Sequence, residues 1–127
     1  MLLGLLGREQ MTSSAEMVID DRDTGFEVGG EWQHDTNHGY QNQTFWACVN
    51  ADTGSAQTNW YTQIPAAGGY EVFAFIPELH SNTLNARYQI DHSLGSSTVY
   101  LAQQPYANQW VSLGKYQFDT GASAFVT

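Results

Sequence analysis

The chain has 127 residues, a formal net charge of −9 and a charged fraction of only 13%. This length indicates one domain that can bury a core without disulfides or metal. Arg8, Arg22, Arg87 and Lys115 are the only fixed cations in the sequence. The chain therefore lacks the clustered positive charge that nucleic acids and anionic membranes require of a partner. Its surface suits sugars, cations and neutral protein surfaces instead.

The first sixteen residues differ in composition from the rest of the chain. Residues 1–7 read MLLGLLG, an apolar run that is too short to span a bilayer and lacks the basic segment and cleavage site of a signal peptide. Residues 8–16 have the polar composition of a linker. We predict that residues 1–16 form a linker, with a short hydrophobic arm as the alternative, and that the folded domain occupies residues 17–127.

Short strands are predicted in the first half of this domain. Residues 17–20 and 26–28 flank the turn DRDTG, and a strand around Trp32 leads into the loop HDTNHG. A longer strand is predicted over residues 40–49. The only cysteine, Cys48, falls in that run, so no intrachain disulfide is possible, and we interpret it as a small core residue.

The second half of the chain alternates apolar and polar residues in several runs separated by turn residues. Strands are predicted at residues 56–64, 70–76, 87–92, 98–104, 110–114 and 115–119, with a last one at the end of the chain. The run over residues 70–76 is apolar on both faces, which predicts a central strand with a second layer over part of its outer face. About eight to ten short strands and no helical pattern predict an all-β, antiparallel jelly-roll sandwich.

Alternation also predicts which side chains face the core. Over residues 87–92, Tyr88, Ile90 and His92 point inward, and the residues between them point outward. His92 is therefore interpreted as a hydrogen-bonded core histidine. In the next strand Val99, Leu101 and Gln103 share one face.

Several segments in order resemble one known module. They read VIDDRDTGFEVGGEW, GYQNQ, AQTNWYTQIPAAGGYEVFAFIP, NARYQIDH, TVYLAQQ and WVSLGKYQF, and together they resemble the golvesin C-terminal-like domain, also named after the C-terminal part of xanthan lyases. The resemblance covers about residues 18–126. It implies a jelly-roll sandwich similar to galactose-binding and carbohydrate-binding modules. It also implies an accessory module of a secreted or cell-surface bacterial protein. Trp60 and Trp110 lie in the parts that resemble the family scaffold most and are predicted to be core residues.

The end of the chain departs from the family pattern. That pattern continues through one more strand, so the domain is expected to lack its last strand and to leave a sheet edge open after Tyr116. The N-terminal arm or a strand from a neighbouring chain could fill the place by β-augmentation. Self-association through this edge is therefore a second possibility for the module.

Acidic residues and histidines suggest two metal sites, each with a simpler alternative. Asp20, Asp21 and Asp23 could contribute oxygen ligands to a structural calcium ion, although a solvated acidic loop whose carboxylates cap turns is favoured. His34 and His38 flank Asp35 and could bind a transition metal, although a polar loop is again favoured. His80 lies in another loop and has no partner that the sequence identifies.

Exposed aromatic rings would be the natural platform for a sugar, because a flat ring packs on the apolar face of a pyranose while polar groups bind its hydroxyls. The alternative is that the rings fill the sandwich. The candidate rings are Trp32, Tyr40, Tyr61 and Tyr106, and the candidate polar partners are Asn82, Asn85 and Arg87.

No catalytic signature is present, since the sequence contains no GxSxG, HExxH, P-loop or dinucleotide motif. We therefore expect no enzyme activity and no cofactor apart from the possible calcium ion. The favoured function is a non-catalytic accessory module that binds carbohydrate or cell-wall glycan outside the cell or on its surface. The alternative is an assembly module that contacts neighbouring protein chains through an open sheet edge.

Overall fold

A computed structural model describes the backbone of residues 2–6, 16–47, 56–121 and 123–126, and the side chains of residues 16–47 and 56–121. Strands dominate these residues, and two single 3₁₀ turns, Tyr40–Asn42 and Gln104–Tyr106, interrupt them. The strands are β1 (Leu2–Leu6), β2 (Glu16–Ile19), β3 (Phe26–Gly29), β4 (Gln33–Asp35), β5 (Thr44–Trp46), β6 (Gln57–Gln63), β7 (Gly68–Ile76), β8 (Ala86–His92), β9 (Gly95–Leu101), β10 (Gln109–Phe118) and β11 (Ser123–Val126).

The strands form two antiparallel sheets and one small hairpin. The first sheet has the order β10-β7-β1-β2, and the second has the order β3-β6-β11-β8-β9. Strands β4 and β5 pair only with each other among the described residues. All the pairings are antiparallel, so the predicted all-β sandwich is confirmed.

The core is a single apolar cluster to which both sheets contribute. Strand β7 contributes alternate residues from Tyr70 to Ile76, and β8 contributes Tyr88 and Ile90. Trp60 of β6 is 1% exposed, which confirms its prediction as a core residue. Burying an aliphatic or aromatic side chain of this size stabilises the fold by about 1.5–3 kcal/mol relative to leaving it in water. The inward side chains at every second position of β7 therefore help to hold the two sheets together.

Strand β7 is an interior strand of the first sheet, as its two apolar faces predicted. Its outward residues Phe73 and Phe75 are half-buried. The ring of Tyr40, in the 3₁₀ turn, lies 5.7 Å from that of Phe75 at an edge-to-face angle of 66°. The 3₁₀ turn thus covers part of the outer face of the first sheet.

The long strand predicted over residues 40–49 is wrong. The chain turns at Gly39, Gln41 and Asn42, which have φ angles of 96°, 49° and 62°. A positive φ at successive positions ends an extended run, so among the described residues 40–47 only Thr44–Trp46 pairs as a strand. Cys48 lies outside the described residues.

The prediction of Trp110 as a core residue is also wrong, because β10 contains a bulge. The pairing register with β7 shifts between Ser112 and Gly114, where φ is 121°. An extra residue exchanges the two faces of a strand, so Leu113 and Phe118 are buried while Trp110 is 39% exposed. The two strands predicted on either side of residue 114 are one bulged strand.

The apolar start of the chain lies within the first sheet. The backbone of β1 pairs antiparallel with β7 on one side and with β2 on the other. The backbone of residues 2–6 is therefore an interior strand of the first sheet. Residues 7–15 lie outside the described residues.

At the edge that was expected to be open after Tyr116, one backbone carbonyl, that of Gln117, accepts hydrogen bonds from a neighbouring turn. Both the backbone N–H and the hydroxyl of Ser93, in the β8–β9 turn, donate to the carbonyl oxygen of Gln117 at 2.9 Å. The last described strand, β11, lies in the middle of the second sheet between β6 and β8. The sheet edges among the described strands are β10 and β2 in the first sheet and β3 and β9 in the second.

Candidate functional site

The outer face of the second sheet carries aromatic and polar side chains together. Thr58 and Trp60 are buried in β6, so alternation turns Asn59 and Tyr61 outward. The same rule applies to β8, where the buried Tyr88 and Ile90 alternate with the exposed Arg87 and the half-buried Gln89 and Asp91, and to β9, where half-buried residues alternate with exposed ones. We call this surface the polar face and define it by Glu27, Asn59, Tyr61, Arg87, Gln89, Asp91 and Tyr100.

The side chains of β8 form a hydrogen-bonded row along the polar face. Arg87 donates from Nη2 to Oε1 of Gln89 at 2.8 Å. Gln89 donates in turn from Nε2 to Oδ1 of Asp91 at 3.4 Å. The row fixes three polar groups at every second residue, while most of the guanidinium N–H groups of Arg87 remain available to a ligand.

Tyr61 is held in place by neighbours on β3 and β6. Partial burial raises the pKa of Tyr61, and the carboxylate of Glu27, to which its hydroxyl donates a hydrogen bond, raises it further. Asn59 forms a second hydrogen bond with the same hydroxyl. The ring is therefore oriented from its hydroxyl end, and the phenol stays neutral at physiological pH.

The backbone beside Tyr61 is fixed by a close approach of Gly25. Tyr61 N–H donates to the carbonyl oxygen of Gly25 at 2.6 Å. A Cβ atom on Gly25 would lie 2.1 Å from the carbonyl oxygen of Tyr61, a distance that no side chain can adopt. Only glycine at this position lets the turn after β2 lie against β6.

The structure brings Tyr61 and Arg87 to the same face. Phe125 of β11 is the Cα partner of both Tyr61 and Asp91, so Tyr61 and Asp91 lie two strand spacings apart, or roughly 10 Å. Tyr100, which the sequence analysis missed as a site residue, is the Cα partner of Arg87 and is 61% exposed. The sequence signal that could have identified Tyr100 is its position between Val99 and Leu101, because alternation turns it to the opposite face of the strand. From Tyr61 to Tyr100 the polar face extends over roughly 20 Å.

The other candidate sugar-binding residues lie elsewhere. Trp32 is half-buried and donates from Nε1 to the carbonyl oxygen of Gly29 at 2.9 Å. Tyr106 is half-buried and packs against the core. Asn82 and Asn85 are exposed in the loop between β7 and β8, and no described contact joins them to the polar face.

Tyr40 belongs to a separate group on the first sheet. Its ring lies 5.8 Å from that of Trp110, and the rings of Phe75 and Trp110 are 5.5 Å apart. All three pairs meet edge to face, at angles of 66° to 70°. We call these three residues the aromatic patch; it lies on the opposite sheet from Tyr61 and Arg87.

The three aspartates that were predicted as calcium ligands build a turn. Asp20 accepts from the backbone N–H of Asp21 at 2.7 Å and from Arg22 Nη2 at 2.7 Å. Asp23 accepts from the backbone N–H of Asp20 at 2.7 Å. Burial raises the pKa of Asp21, which opposes the charged form that a cation would need. The turn-capping alternative matches these contacts.

Asp35 joins two histidines from different loops. Its Oδ2 atom lies 2.9 Å from His38 Nδ1 and 3.4 Å from His80 Nε2. A hydrogen bond from the backbone N–H of Asn37, followed by the contact with His38, lowers the pKa of Asp35. His34 is not part of this group, because its ring stacks on Phe45 at 4.6 Å. In residues 16–47 and 56–121, no group of three His, Cys, Asp or Glu side chains has a geometry that could hold a metal ion.

His92 lies at the rim of the sandwich and not in its core. Its Nε2 atom is 2.9 Å from Ser97 Oγ, and its Nδ1 atom accepts from the backbone N–H of Leu94 at 3.3 Å. Its ring stacks on Tyr116 at 5.0 Å. The side chain is therefore hydrogen-bonded, as predicted, but only half-buried. It borders a cavity of about 150 Å³ lined by Gly69, His92, Leu94, Lys115, Tyr116 and Gln117.

Fold and site together define an antiparallel β-sandwich module with a hydrogen-bonded row of polar side chains on the outer face of its second sheet. The model of the Golvesin C-terminal domain matches residues 17–127, so the chain belongs to that family. The resemblance noted in the sequence is thereby confirmed.

Two xanthan lyases are similar to parts of this chain. The xanthan lyase of Bacillus sp. (strain GL1) is 27% identical over 78 residues, which cover 61% of this chain and 8% of the lyase. The structure of a Paenibacillus xanthan lyase matches 98% of this chain and 11% of that protein with a TM-score of 0.73 and 20% identity, which supports the fold. The chain thus spans about a tenth of these relatives. In its described residues, no helix is both long enough and apolar enough to cross a membrane.

Proposed function

We propose that this domain is a non-catalytic accessory module that binds carbohydrate through the polar face, as part of a secreted or cell-surface bacterial protein. One observation supports this proposal above the others. Tyr61 and Tyr100 lie at opposite ends of a hydrogen-bonded row of polar side chains, on a single exposed sheet face.

The chemistry of this face suits a sugar. Tyrosine rings bind the C–H faces of pyranoses, and the guanidinium, amide and carboxylate groups of Arg87, Gln89 and Asp91 provide donors and acceptors for hydroxyl groups. Their mutual hydrogen bonds hold these groups before a ligand arrives, which reduces the entropy that binding would cost. A face that extends over roughly 20 Å fits several sugar units of an extended chain better than a single one.

The relatives are consistent with this proposal. Xanthan lyases act on a polysaccharide, and this chain resembles only a small part of them. A small domain attached to such an enzyme would serve it by keeping the polymer near the catalytic part, because a second binding event within one molecule raises the effective concentration of substrate. On this view the ligand is a polysaccharide and the module itself has no catalytic residue.

The test is binding of a series of bacterial and plant polysaccharides and their oligosaccharides, measured by affinity electrophoresis and calorimetry. For a glycan that binds, Tyr61→Ala and Arg87→Ala should each weaken affinity about tenfold, the effect of losing one hydrogen bond to a charged group or one ring contact. Trp110→Ala is the matched control, since it removes an exposed aromatic side chain from the opposite sheet. Equal losses of glycan affinity in all three variants would contradict the proposal. Failure of the parent protein to bind any glycan would also contradict it.

A further inference from the structure

Strand β1 is the only described link between β2 and the rest of the first sheet. Its backbone pairs with β7 from Leu2 opposite Phe75 to Leu6 opposite Glu71. On its other side it pairs with β2 from Leu3 opposite Ile19 to Leu6 opposite Glu16. Among the described pairings β2 has no other partner in that sheet.

An interior strand uses its backbone donors and acceptors on both sides. Without β1, the edges of β7 and β2 would face each other across an empty strand position of about 9–10 Å, too wide for direct pairing. Both edges would then lose their backbone hydrogen bonds, and an unpaired apolar edge invites pairing with another strand. The core residue Ile19 lies in β2 and depends on the same attachment.

The family match begins at residue 17, so β1 lies outside it. The Paenibacillus structure, in contrast, matches 98% of this chain, a share that the matched family residues alone do not reach. Strand β1 therefore belongs to the fold but is not part of the sequence by which the family is recognised.

We propose that the gap between β7 and β2 is a strand-accepting slot and that β1 is its occupant, so that β1 is a structural part of the folded domain. The slot fits a short, uncharged, extended segment that runs antiparallel to both neighbours. Gly4 is the Cα partner of both Val18 and Phe73, so the occupant has no side chain between these two apolar residues. A slot of this kind accepts the uncharged segment LLGLL in preference to the polar residues that follow it.

The test uses the full chain with a protease site in place of residues 9–14, between β1 and β2. After cleavage, gel filtration and native mass spectrometry show whether the N-terminal fragment remains bound. We expect it to remain bound without a covalent link and to be released when the protein unfolds. A fluorescent synthetic peptide of residues 1–8 should then exchange into the slot.

Gly4→Pro in the same cleavable chain removes a backbone N–H that an interior strand uses, and the fragment should then be lost on cleavage. Asn82→Pro is the control, because it places proline in an exposed loop outside the strands, and its fragment should be retained. Loss of the fragment with a lowered unfolding temperature that the peptide restores would also support the slot. Loss with no change in unfolding temperature, or lowered stability that the peptide does not restore, would overturn it.

Discussion

The side-chain amide of Gln103 donates a 2.7 Å hydrogen bond to the hydroxyl of Tyr88, and both residues are buried. Gln103 follows β9, and its backbone N–H donates to the carbonyl oxygen of Thr83 at 2.9 Å. One residue thus connects the β7–β8 loop and the exit from β9 to the centre of β8. Burial raises the pKa of Tyr88 far above that of an exposed tyrosine, so this hydroxyl stays neutral in the folded protein.

Tyr88→Phe should lower the free energy of unfolding by about 1–2 kcal/mol, because it removes one buried hydrogen bond and leaves the ring in place. Gln103→Leu should lower the free energy of unfolding by a similar amount. The double variant should cost clearly less than the sum, since each single change removes the same bond. Urea unfolding of the parent, the two single variants and the double variant gives the coupling energy. If the losses in free energy of unfolding add exactly, the hydrogen bond contributes nothing to stability.

Gly25→Ala should destabilise the protein by about 1–3 kcal/mol, the usual range for overpacking. The reason is the contact at 2.1 Å between a Cβ atom at this position and the carbonyl oxygen of Tyr61. Gly29→Ala is the matched control, because the nearest atom to its Cβ would be at 3.8 Å. If the two variants unfold at the same temperature, the turn does not hold β6 as described. Gly25→Ala should also lower the affinity for any ligand that contacts Tyr61.

The fold could be predicted from the sequence wherever the alternation was regular. Strand β8 obeys a period of two, and Tyr88 and Ile90 are buried as the pattern selected, although His92 at the end of the strand is only half-buried. The pattern fails where one residue interrupts it. The bulge before Gly114 exchanges the faces of β10, and a period-2 reading of that run cannot place Trp110 and Phe118 on opposite faces.

The site was harder to predict, because it depends on strands that are distant in the chain. Tyr61 and Arg87 were both selected as exposed polar or aromatic candidates, but their common face arises from β11, which lies between their strands. Asn82, Asn85 and Tyr106 were selected by the same criteria, and no described contact places them on that face. Residue type identified candidates, and only the strand order decided which of them lie on one surface.

Asp35→Asn should remove a pH-dependent part of the stability. The pKa of Asp35 is lowered in the folded state, first by the N–H of Asn37 and then by His38. A lowered pKa stabilises the fold above the unfolded value of 3.8, and this contribution is lost as the pH falls through the folded value. The unfolding temperatures of the parent and the variant should therefore differ at pH 5, and the difference should shrink as the pH falls below the unfolded value of 3.8. Asp119→Asn, at an exposed position, should show a smaller difference, and a constant gap for Asp35→Asn would contradict the assignment.

Calcium should leave the unfolding temperature unchanged, although the sequence raised Asp20, Asp21 and Asp23 as possible ligands. The carboxylate of Asp20 already accepts from a backbone N–H and from Arg22, so a cation would have to displace bonds that the fold uses. Asp20→Asn should lower stability by about 1–2 kcal/mol, and by the same amount in excess calcium and in chelator. The measurement is thermal unfolding of both proteins in the two buffers. A calcium-dependent rise in the parent that Asp20→Asn abolishes would instead establish a metal site at this turn.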